Sequence, residues 1–552
     1  MKSKIFVWVG VALLVGACRN NPENCDLNDL ETRGNQRAVV SHKALQFEFV
    51  GGKWIPSKVI RYTGLKDRSR SWSASETVAL YDHPGGRLLG EKEVEGLISI
   101  ERHAMAAIQA SVDLKDISKV REKLLDGMKA EIELPEGEGN WIQLKADEAE
   151  PGSVASLLPN ETQWIDLSTL KVEDEAEQAI SPGLFSSPEG LSADFPFEVL
   201  QWSGDPRKKL NLVFLSDGYQ KDELGDYKET VNAYLSDLFG HQEPYGRYQK
   251  LINVIRIDVP SQESGASCDD YTFSPRKNRY GSSFPVACIN AIFKTKLSDR
   301  FLYTLKGWRV KRDSRSLRYD GISIADEVAV IVNSPKRGGT GLGWIVQTSI
   351  TPAHVMAHEF GHTWANLGDE YVNDGDLCLY FMRKRPNISV KKRSISKLKW
   401  GHWMLEDTPL PTPATELYAN RIGMFRGAAG GCKRVLYRPA QKCKMEGSAN
   451  PHFCAVCMEA MTLRILDRVC LIESSIRVDE TGTLQADVAL PERMVTRWFV
   501  DGKLWQQTQT YQPLTGFPRG SHEVRLVVAD ESAPVRKDRC LLGASQVRTI
   551  TF

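Results

Sequence analysis

A His-Glu-x-x-His pattern brings His358, Glu359 and His362 together in this sequence of 552 residues. Residues four apart lie one turn apart on the same face of a helix, so both imidazoles can bind one Zn²⁺ ion. The Glu359 carboxylate then lies beside the metal, where it can take a proton from a bound water molecule. The spacing therefore predicts one catalytic zinc ion, with His358 and His362 as ligands and Glu359 as the general base.

A catalytic zinc ion takes three protein ligands and leaves its fourth position to water, so one more ligand is needed. Asp369 lies seven residues after His362, and on a continuous helix it would be about 10 Å farther along the axis. The helix can end at Leu367-Gly368, because glycine readily takes the left-handed conformation that closes a helix. Asp369 is therefore the predicted third ligand, and the alternatives are Glu370 and a residue from a distant loop.

The helix that carries the motif has a start signal. Thr351 suits the N-cap, and Pro352 suits the first helical position, where a backbone N–H is not needed. His354 lies on the ligand face, one turn before His358. We expect His354 to line the wall of the cleft rather than to bind the metal.

The elements around the motif alternate between strands and helices. Apolar runs at 210–215, 252–259 and 328–332 are typical of buried strands, and apolar residues at helical spacing predict a helix over 224–238. Strands separated by helices favour an α/β core with parallel pairing. We therefore expect residues 192–470 to form one α/β domain that holds the zinc site.

The two ends of the chain have a different pattern. Residues 44–170 read as short strands with one helix over 117–128. Residues 471–552 contain short strands and an Asp501-Gly502 hairpin signal, typical of an Ig-like β-sandwich. An acidic stretch at 171–191, which also contains Pro and Gly, is the predicted linker. The predicted fold class is multidomain α/β and β, with the central α/β domain flanked by an N-terminal β-rich domain and a C-terminal Ig-like β-sandwich.

The first residues predict export and a lipid anchor. Two lysines precede the apolar run 5–17, which has the length of a signal-peptide core and is too short to span a membrane. Small residues directly before Cys18 resemble the lipobox of bacterial lipoproteins. We expect residues 1–17 to be removed, Cys18 to be lipidated and 18–43 to form a tether; an ordinary signal peptide cut near Ala17 is the alternative. The predicted location is the bacterial cell envelope, at the outer membrane, with membrane contact through the lipid alone.

Ten of the 11 cysteines remain when Cys18 is set aside. An even number in an oxidising compartment favours disulfides, including a Cys470–Cys540 bridge in the C-terminal domain. Four cysteines lie close together in sequence, and a structural zinc site is the alternative for them, since four thiolates can surround a tetrahedral ion. They are Cys432, Cys443, Cys454 and Cys457. A thioredoxin-like role for the last two needs a flanking βαβ pattern that the sequence lacks.

Charge excludes one class of partner. The formal net charge of +1 lacks the basic excess of proteins that are held to nucleic acid by charge, so no nucleic-acid partner is predicted. Eight basic residues lie within 383–399. We expect this stretch to be a solvated loop, and contact with an acidic substrate or glycan is the alternative.

Several motifs occur in the order found in one peptidase family. His-Glu-Phe-Gly-His at 358–362 is followed by Leu-Gly-Asp-Glu-Tyr at 367–371. Further blocks lie at 212–219, 258–265, 437–439, 443–445 and 453–457. Together they resemble the IgA-peptidase family of zinc metallopeptidases, which is metzincin-like. The N-terminal β-rich region also resembles the extra domain that precedes the catalytic unit in some members from gut bacteria.

The resemblance implies a zinc-dependent endopeptidase, a hydrolase whose partner is a protein or peptide substrate. The family name implies immunoglobulin A, but catalytic motifs fix the reaction and not the peptide sequence that is cut. By the likeness to metzincins, residues 344–348 would be an edge strand that pairs with the substrate, and Met445 would lie under the zinc. An ordinary buried strand and an ordinary core methionine are the alternatives.

Other residues in these blocks have predicted supporting roles. Tyr371 or Tyr437 is the predicted hydrogen-bond donor to the oxyanion, and packing of the ring is the alternative for each. Asp217 and Glu263 lie at strand ends, and we expect them to be structural or to support the site.

Two other functions fit parts of the sequence. One is a non-catalytic surface binding lipoprotein with a relict zinc core, and the other is a zinc amidase that acts on cell-wall peptides. The complete set of His358, Glu359 and His362 argues against a relict, because a decaying site has no physical reason to keep its general base. A protease and an amidase differ in the length of the cleft, which depends on tertiary structure.

Overall fold

The computed structural model describes residues 37–50, 53–65, 76–94, 129–146, 164–174, 188–270, 272, 274–293, 299–342, 345–350, 353–373, 378–480, 483–508, 511–513, 520–537 and 542–551. The predicted signal peptide, Cys18 and most of the tether lie outside these ranges, as do the predicted helix over 117–128, Thr351 and Pro352. Within the described ranges, no helix has both the length and the apolar character needed to cross a membrane.

The described part of the N-terminal region consists mainly of strands. They are β1 Val39–Val50, β2 Lys53–Leu65, β3 Glu76–Tyr81, β4 Leu88–Val94, β5 Lys129–Glu133, β6 Trp141–Ala146, β7 Trp164–Asp166 and β8 Lys171–Asp174. β1 and β2 form an antiparallel hairpin, and β5 pairs with the other side of β1. A second sheet has the order β4-β3-β6-β7. Phe49, Val78 and Ile142 represent both sheets in one buried cluster, so the two sheets share a core.

Two segments outside the predicted limits of this domain contain strands. β1 begins at Val39, within the predicted tether at 18–43. β8 lies within the predicted linker at 171–191 and pairs in parallel with β2. Backbone pairing with the hairpin therefore extends the N-terminal sheet into both segments.

The central region contains strands β9 Leu191–Ser192, β10 Phe197–Gln201, β11 Leu210–Asp217, β12 Ile252–Ile257, β13 Ser282–Ser283, β14 Tyr303–Thr304, β15 Arg318–Tyr319, β16 Ile322–Ser323, β17 Glu327–Val332, β18 Gly339–Leu342, β19 Ile345–Ser349, β20 Ser389–Val390, β21 Phe425–Ala428 and β22 Cys432–Arg438. The α-helices are α1 Leu224–His241, α2 Pro285–Phe293, α3 Gly307–Arg315, α4 His354–Ala365 and α5 Ala455–Arg468. Short 3₁₀-helices span Leu167–Thr169, Lys221–Glu223, Gln249–Leu251, Tyr380–Lys384, Ile395–Lys397, Gly401–Trp403 and Glu416–Tyr418.

A six-stranded sheet lies in the central region, in the order β10-β12-β11-β17-β19-β18. The four inner strands are parallel, and the two outer strands, β10 and β18, run antiparallel to their neighbours. Every residue of β11, β12 and β17 is buried, which explains why these strands are apolar runs in the sequence. The predicted strands and the predicted helix over 224–238, here α1, are confirmed.

The strand before the motif helix is not at the edge of this sheet. β19 pairs with β17 on one side and with β18 on the other. The prediction of an edge strand at 344–348 is therefore wrong, because β18 covers that side. The sequence of β18, Gly-Thr-Gly-Leu, gave no strand signal, since glycine is depleted in strands.

The N-terminal and central regions are joined by backbone pairing and by buried charge. β16 pairs with β2, and β15 pairs with both β16 and β9, so the sheet of the N-terminal hairpin continues into the central region. Two buried ion pairs cross between the regions, Arg37 with Asp326 and Arg315 with Glu131. Removing one partner of such a pair leaves an uncompensated buried charge. Backbone pairing and buried ion pairs therefore join the two regions.

The C-terminal region contains β23 Arg477–Val478, β24 Thr483–Gln485, β25 Val495–Val500, β26 Lys503–Thr508, β27 Tyr511–Pro513, β28 Ser521–Ala529 and β29 Gly543–Thr551. They form two sheets, β26-β25-β28-β29 and β23-β24-β27. Asp501 and Gly502 both have positive φ, 47° and 76°, between β25 and β26, which confirms the predicted hairpin. Trp498 and Val528 share a buried cluster with Leu466 of α5, so the C-terminal region packs on the central one. The described chain as a whole is mixed, with many β-sheets and few helices.

Candidate metal centre and active site

Helix α4 carries the motif and ends just before the predicted third ligand. Its last residue is Ala365, and Asn366 takes the left-handed conformation with φ 54° and ψ 38°. The Leu367 N–H donates to the Gly361 carbonyl at 3.0 Å, which closes the helix. The expected helix end is confirmed, but the assignment of the left-handed residue to Gly368 is wrong. Asparagine also tolerates this conformation and comes first in the chain.

The turn brings Asp369 back to the two histidines. Its Oδ1 atom lies 3.2 Å from His358 Nε2 and 3.4 Å from His362 Nε2. Nitrogen and oxygen ligands of a tetrahedral zinc ion are about 3.3 Å apart, so both distances from Asp369 fit one metal site. Asp369 Oδ1 is buried and accepts no hydrogen bond from the described residues, as expected of an oxygen that faces a cation. Two imidazoles and one carboxylate therefore fit a zinc ion.

Backbone carbonyls orient both histidines. His358 Nδ1 lies 2.8 Å from the Lys444 carbonyl oxygen, and His362 Nδ1 lies 2.8 Å from the Leu367 carbonyl oxygen. A carbonyl can only accept, so each contact requires a proton on Nδ1. In the neutral ring, the lone pair of Nε2 then faces the carboxylate of Asp369, which is the arrangement of a metal-binding histidine.

Electrostatics in this pocket favour positive charge. Burial alone would lower the pKa of His362, but the Asp369 carboxylate raises it to about 9. Burial would raise the pKa of Asp369, but His362 and His358 hold it far below its ordinary value. The Asp369 carboxylate therefore stabilises positive charge beside the two imidazoles, as a cation site requires.

Glu359 lies beside this group on the same helix. Its Oε2 atom is 3.9 Å from His362 Nε2. Burial raises the pKa of Glu359, and the two histidines offset only part of this rise. A carboxylate with a raised pKa suits a group that takes a proton and later gives it back.

Strand β18 lies directly against α4 at Glu359. A Cβ atom on Gly339 would lie 2.7 Å from Glu359 Oε1. A Cβ atom on Gly341 would lie 2.4 Å from the Glu359 carbonyl oxygen and 2.9 Å from His362 Cβ. Only glycine lets the strand approach the helix this closely. The outer strand of the central sheet therefore runs beside the Glu359 carboxylate.

Asn387 is a supporting residue that sequence reasoning missed. Its buried side chain accepts from the Gly368 N–H at 2.7 Å and donates to the Gly368 carbonyl and to Glu370 Oε1, both at 2.8 Å. One amide thus fixes the chain on both sides of Asp369. Asn387 lies in the stretch 383–399, expected to be a solvated loop, and its partners are 17 and 19 residues away in sequence. A single asparagine between basic residues gave no signal for such contacts.

The loop after β22 reaches the same helix. The Met445 carbonyl accepts from the Glu370 N–H at 2.7 Å. Met445 Sδ would lie 2.7 Å from a Cβ atom on Gly361, so it packs against α4 between the two histidines of the motif. Met445 is fully buried, which also fits an ordinary core methionine, so its place under the zinc stays a prediction.

The remaining site predictions concern residues farther along the motif blocks. Tyr437 is buried in a cluster with Trp400, so its ring packs as the alternative describes. Tyr371 follows Glu370 directly and is half-buried, and its role as a donor stays a prediction. His354 does not belong to the group of described side chains that the motif brings within metal-binding distance.

Asp217 and Glu263 bond to neighbouring loops. The Asp217 carboxylate is fully buried and accepts from the Tyr280 N–H at 3.0 Å and the Ser261 hydroxyl at 3.1 Å. Burial raises the pKa of Asp217. Glu263 accepts from the Lys277 N–H at 2.8 Å. These contacts hold loops at the end of β11, which supports the structural alternative for both residues.

The cysteines divide into two kinds. Among the described residues, two disulfides are formed, Cys268–Cys288 and Cys378–Cys432. Three other cysteines are free thiols that lie together: Cys443, Cys454 and Cys457. The prediction of disulfides is wrong for these three, and Cys432 does not join them because it is bonded to Cys378. Cys540 lies outside the described residues, so a Cys470–Cys540 bridge stays a prediction.

Comparison with known proteins identifies the central region. Residues 199–418 match the family model described as IgA Peptidase M64. This range contains His358, Glu359, His362 and Asp369, so the resemblance read from the motifs is confirmed where the site lies. The match supports a peptidase, a hydrolase that acts on proteins or peptides, and the family implies a bound metal ion. No curated protein matches the chain.

Proposed function

We propose that this protein is a secreted, lipid-anchored zinc metalloendopeptidase that hydrolyses peptide bonds of an extracellular protein. One observation carries the proposal: Asp369 Oδ1 lies 3.2 and 3.4 Å from the Nε2 atoms of His358 and His362, with Glu359 alongside. Cys18 would be the lipidated residue, in the bacterial cell envelope at the outer membrane. The family name makes an immunoglobulin-like host protein one candidate substrate. In this proposal the central region is an α/β peptidase domain, and the C-terminal strands form an Ig-like sandwich.

The proposed mechanism assigns a role to each side chain. His358, His362 and Asp369 would hold the zinc ion, and the carbonyls of Lys444 and Leu367 keep the imidazoles in the required tautomer. Zinc bound there would acidify a water molecule and polarise the scissile carbonyl. Glu359 takes the water proton on its carboxylate and passes it to the nitrogen of the leaving amine. Tyr371 is the remaining candidate for hydrogen bonding to the oxyanion.

Strand β18 is the proposed binding surface for the substrate backbone. An extended peptide can pair with the outer strand of a sheet. The N–H of Gly339 already donates to the Arg300 carbonyl at 3.4 Å, so pairing would begin beyond this residue. Gly341 lies against Glu359, which places a peptide on this strand close to the general base.

The proposal is tested with the purified full chain and three substrate classes. These are a mixture of denatured proteins, native immunoglobulin A, and cell-wall peptides. We expect hydrolysis of proteins, loss of activity on removal of zinc by a chelator, and recovery on addition of zinc. Glu359→Ala should lower kcat/KM by about 10²–10⁴-fold, the usual contribution of a general base, while zinc content stays unchanged. Glu406→Gln, an exposed carboxylate, is the matched control and should behave as wild type.

Three results would contradict the proposal. Equal activity of Glu359→Ala and wild type would exclude the mechanism. Cleavage of cell-wall peptides with proteins left intact would identify an amidase. Binding of zinc without hydrolysis of any of these substrates would identify a binding lipoprotein. A profile of cleavage sites in the protein mixture would define the specificity of the active enzyme.

A further inference from the structure

A second cluster of metal-binding side chains lies next to the site described above. It consists of Glu370, Cys443, Cys454 and Cys457, whose sulfur and carboxylate oxygen atoms all lie within 4.8 Å of one another. Cys443 Sγ is 3.8 Å from Cys457 Sγ, and Cys457 Sγ is 3.1 Å from Glu370 Oε1. Cys454 Sγ is 4.0 Å from the same oxygen. We call this group the thiol cluster.

These distances lie within about 0.5 Å of those expected around one tetrahedral ion. With zinc–sulfur bonds of about 2.3 Å, two thiolate ligands lie about 3.8 Å apart, and a thiolate and a carboxylate oxygen about 3.6 Å apart. A disulfide requires a sulfur–sulfur distance of about 2.0 Å, so Cys443 and Cys457 are not bonded. The four side chains supply four donors around one point, which is the full coordination of a structural zinc site.

Burial supplies an independent argument. Glu370, Cys443 and Cys457 are fully buried, with 0% of their surface exposed. Glu370 Oε2 has no hydrogen-bond partner among the described residues, although a buried carboxylate oxygen without a donor is costly. A cation between the thiols and this carboxylate would offset the cost of burying its negative charge.

The local sequence explains how the thiols meet. Cys454 is the N-cap residue of α5, and Cys457 lies in its first turn. The positive end of the helix dipole stabilises thiolates at this position. The Cys454 N–H donates to Cys443 Sγ at 3.2 Å, and Asn450 Nδ2 donates to the Cys443 carbonyl at 2.8 Å. Backbone and side-chain hydrogen bonds therefore hold the loop that presents Cys443 to the helix.

We propose that Glu370, Cys443, Cys454 and Cys457 bind a second zinc ion that is structural and fixes the loops around the catalytic centre. The link between the two sites is short. Glu370 follows Asp369, and Cys443 precedes Lys444, whose carbonyl orients His358. Zinc at the thiol cluster would thus hold two segments that reach the catalytic centre. One contains Asp369, a predicted ligand, and the other contains Lys444, which contacts His358.

Zinc content and X-ray absorption of the full chain test this site. Wild type should contain two zinc ions per chain. The variant His358→Ala/His362→Ala should contain one, and its absorption spectrum should show three sulfur ligands at about 2.3 Å. Cys443→Ser/Cys457→Ser should also contain fewer ions than wild type. Cys378→Ser/Cys432→Ser is the matched control, because it removes two cysteines that lie outside the cluster, and should keep two ions.

Two results would overturn the second site. One is a His358→Ala/His362→Ala variant that holds no zinc, or zinc without sulfur ligands. The other is a purified chain in which mass spectrometry finds Cys443, Cys454 or Cys457 in a disulfide. The spectrum of the histidine variant does not require the cysteine variants to fold. Neither measurement depends on hydrolysis, so both test this site separately from the proposed peptidase activity.

Discussion

Asp369 and Glu370 are neighbours in sequence, but their carboxylates face two different clusters. Asp369 faces two imidazoles beside the outer strand of the central sheet, with Glu359 next to them. Glu370 faces three thiols at the start of α5. The two clusters correspond to two kinds of zinc site. A catalytic ion keeps one coordination position for water, and a structural ion has protein ligands in all four. One short segment, held by Asn387, positions a ligand for each.

Replacing each of the two neighbouring acids by its amide should give the largest difference between the two clusters. Asp369→Asn removes a charged ligand candidate, so we expect kcat/KM to fall by more than about 100-fold, since even indirect ligand contacts are worth about 10–100-fold. Zinc at the thiol cluster should remain. Glu370→Gln should instead lower zinc bound through sulfur and reduce activity less than Asp369→Asn. Zinc content and hydrolysis rates of the two variants are measured side by side. If both variants lost the same ion, the assignment of Asp369 and Glu370 to different ions would be wrong.

Asn387 should connect the clusters, because it bonds to the chain on both sides of Asp369. Asn387→Ala leaves the Gly368 backbone groups and Glu370 without these bonds, at a cost of about 1–3 kcal/mol in the free energy of unfolding. Activity should fall about 10–100-fold through displacement of Asp369. Urea unfolding and kcat/KM provide the measurements, with the exposed Asn420→Ala as control. Loss of stability with wild-type activity would show that Asn387 does not position the catalytic site.

Substitution of Gly339 should affect the proposed catalytic centre and leave the thiol cluster unchanged. In Gly339→Ala the new Cβ would meet Glu359 Oε1 at 2.7 Å, and this atom is the end of a flexible side chain that can move. We expect kcat to fall about tenfold, because a displacement of 1 Å can cost about 100-fold. Zinc content and fold should stay as in wild type. Gly225→Ala in α1 is the control, since a Cβ there meets no atom within 4 Å. Unchanged kcat in Gly339→Ala would show that the strand does not constrain the base.

The difference between the clusters also explains what sequence could predict. His358, Glu359 and His362 share one helix, so local periodicity was enough to place them together. Asp369 was predictable because the end of that helix is a local event, although Asn366 rather than Gly368 makes the turn. The buried strands of the central sheet were predictable because both of their faces are covered and their sequences are apolar runs.

The rest depends on contacts between distant segments. The thiol cluster joins Glu370 to residues more than 70 positions later, and the pairing of cysteines does not follow from their order. Asn387 acts through side-chain bonds across a loop. β18 becomes a strand because β19 and α4 offer it a place, and its two glycines are there for close approach rather than for strand propensity.

The smallest expected effect on the two clusters comes from a substitution farther along α5, at Glu459. This buried carboxylate accepts from His402 and Trp403 on one oxygen and from the N–H groups of Arg536 and Lys537 on the other. Burial would raise the pKa of Glu459, but the hydrogen bonds hold it below its ordinary value. The contact joins α5 to the C-terminal region and does not involve either cluster.

A lowered pKa in the folded state has a definite consequence for stability against pH. The contribution of Glu459 is fully present above the pKa of the unfolded chain, about 4.5, and is lost as pH falls through the lower folded value. Glu459→Gln should therefore cost about 1.5–3 kcal/mol in the free energy of unfolding near neutral pH, the worth of a hydrogen bond to a charged group, and this difference should shrink as the solution is acidified. Urea unfolding at several pH values measures it. Glu492→Gln, at a surface pair with Lys250, should change stability by less than about 1 kcal/mol. If the difference in unfolding free energy between Glu459→Gln and wild type did not vary with pH, the contact would not depend on the charge of Glu459. A loss of zinc in this variant would show that α5 transmits the change to the thiol cluster.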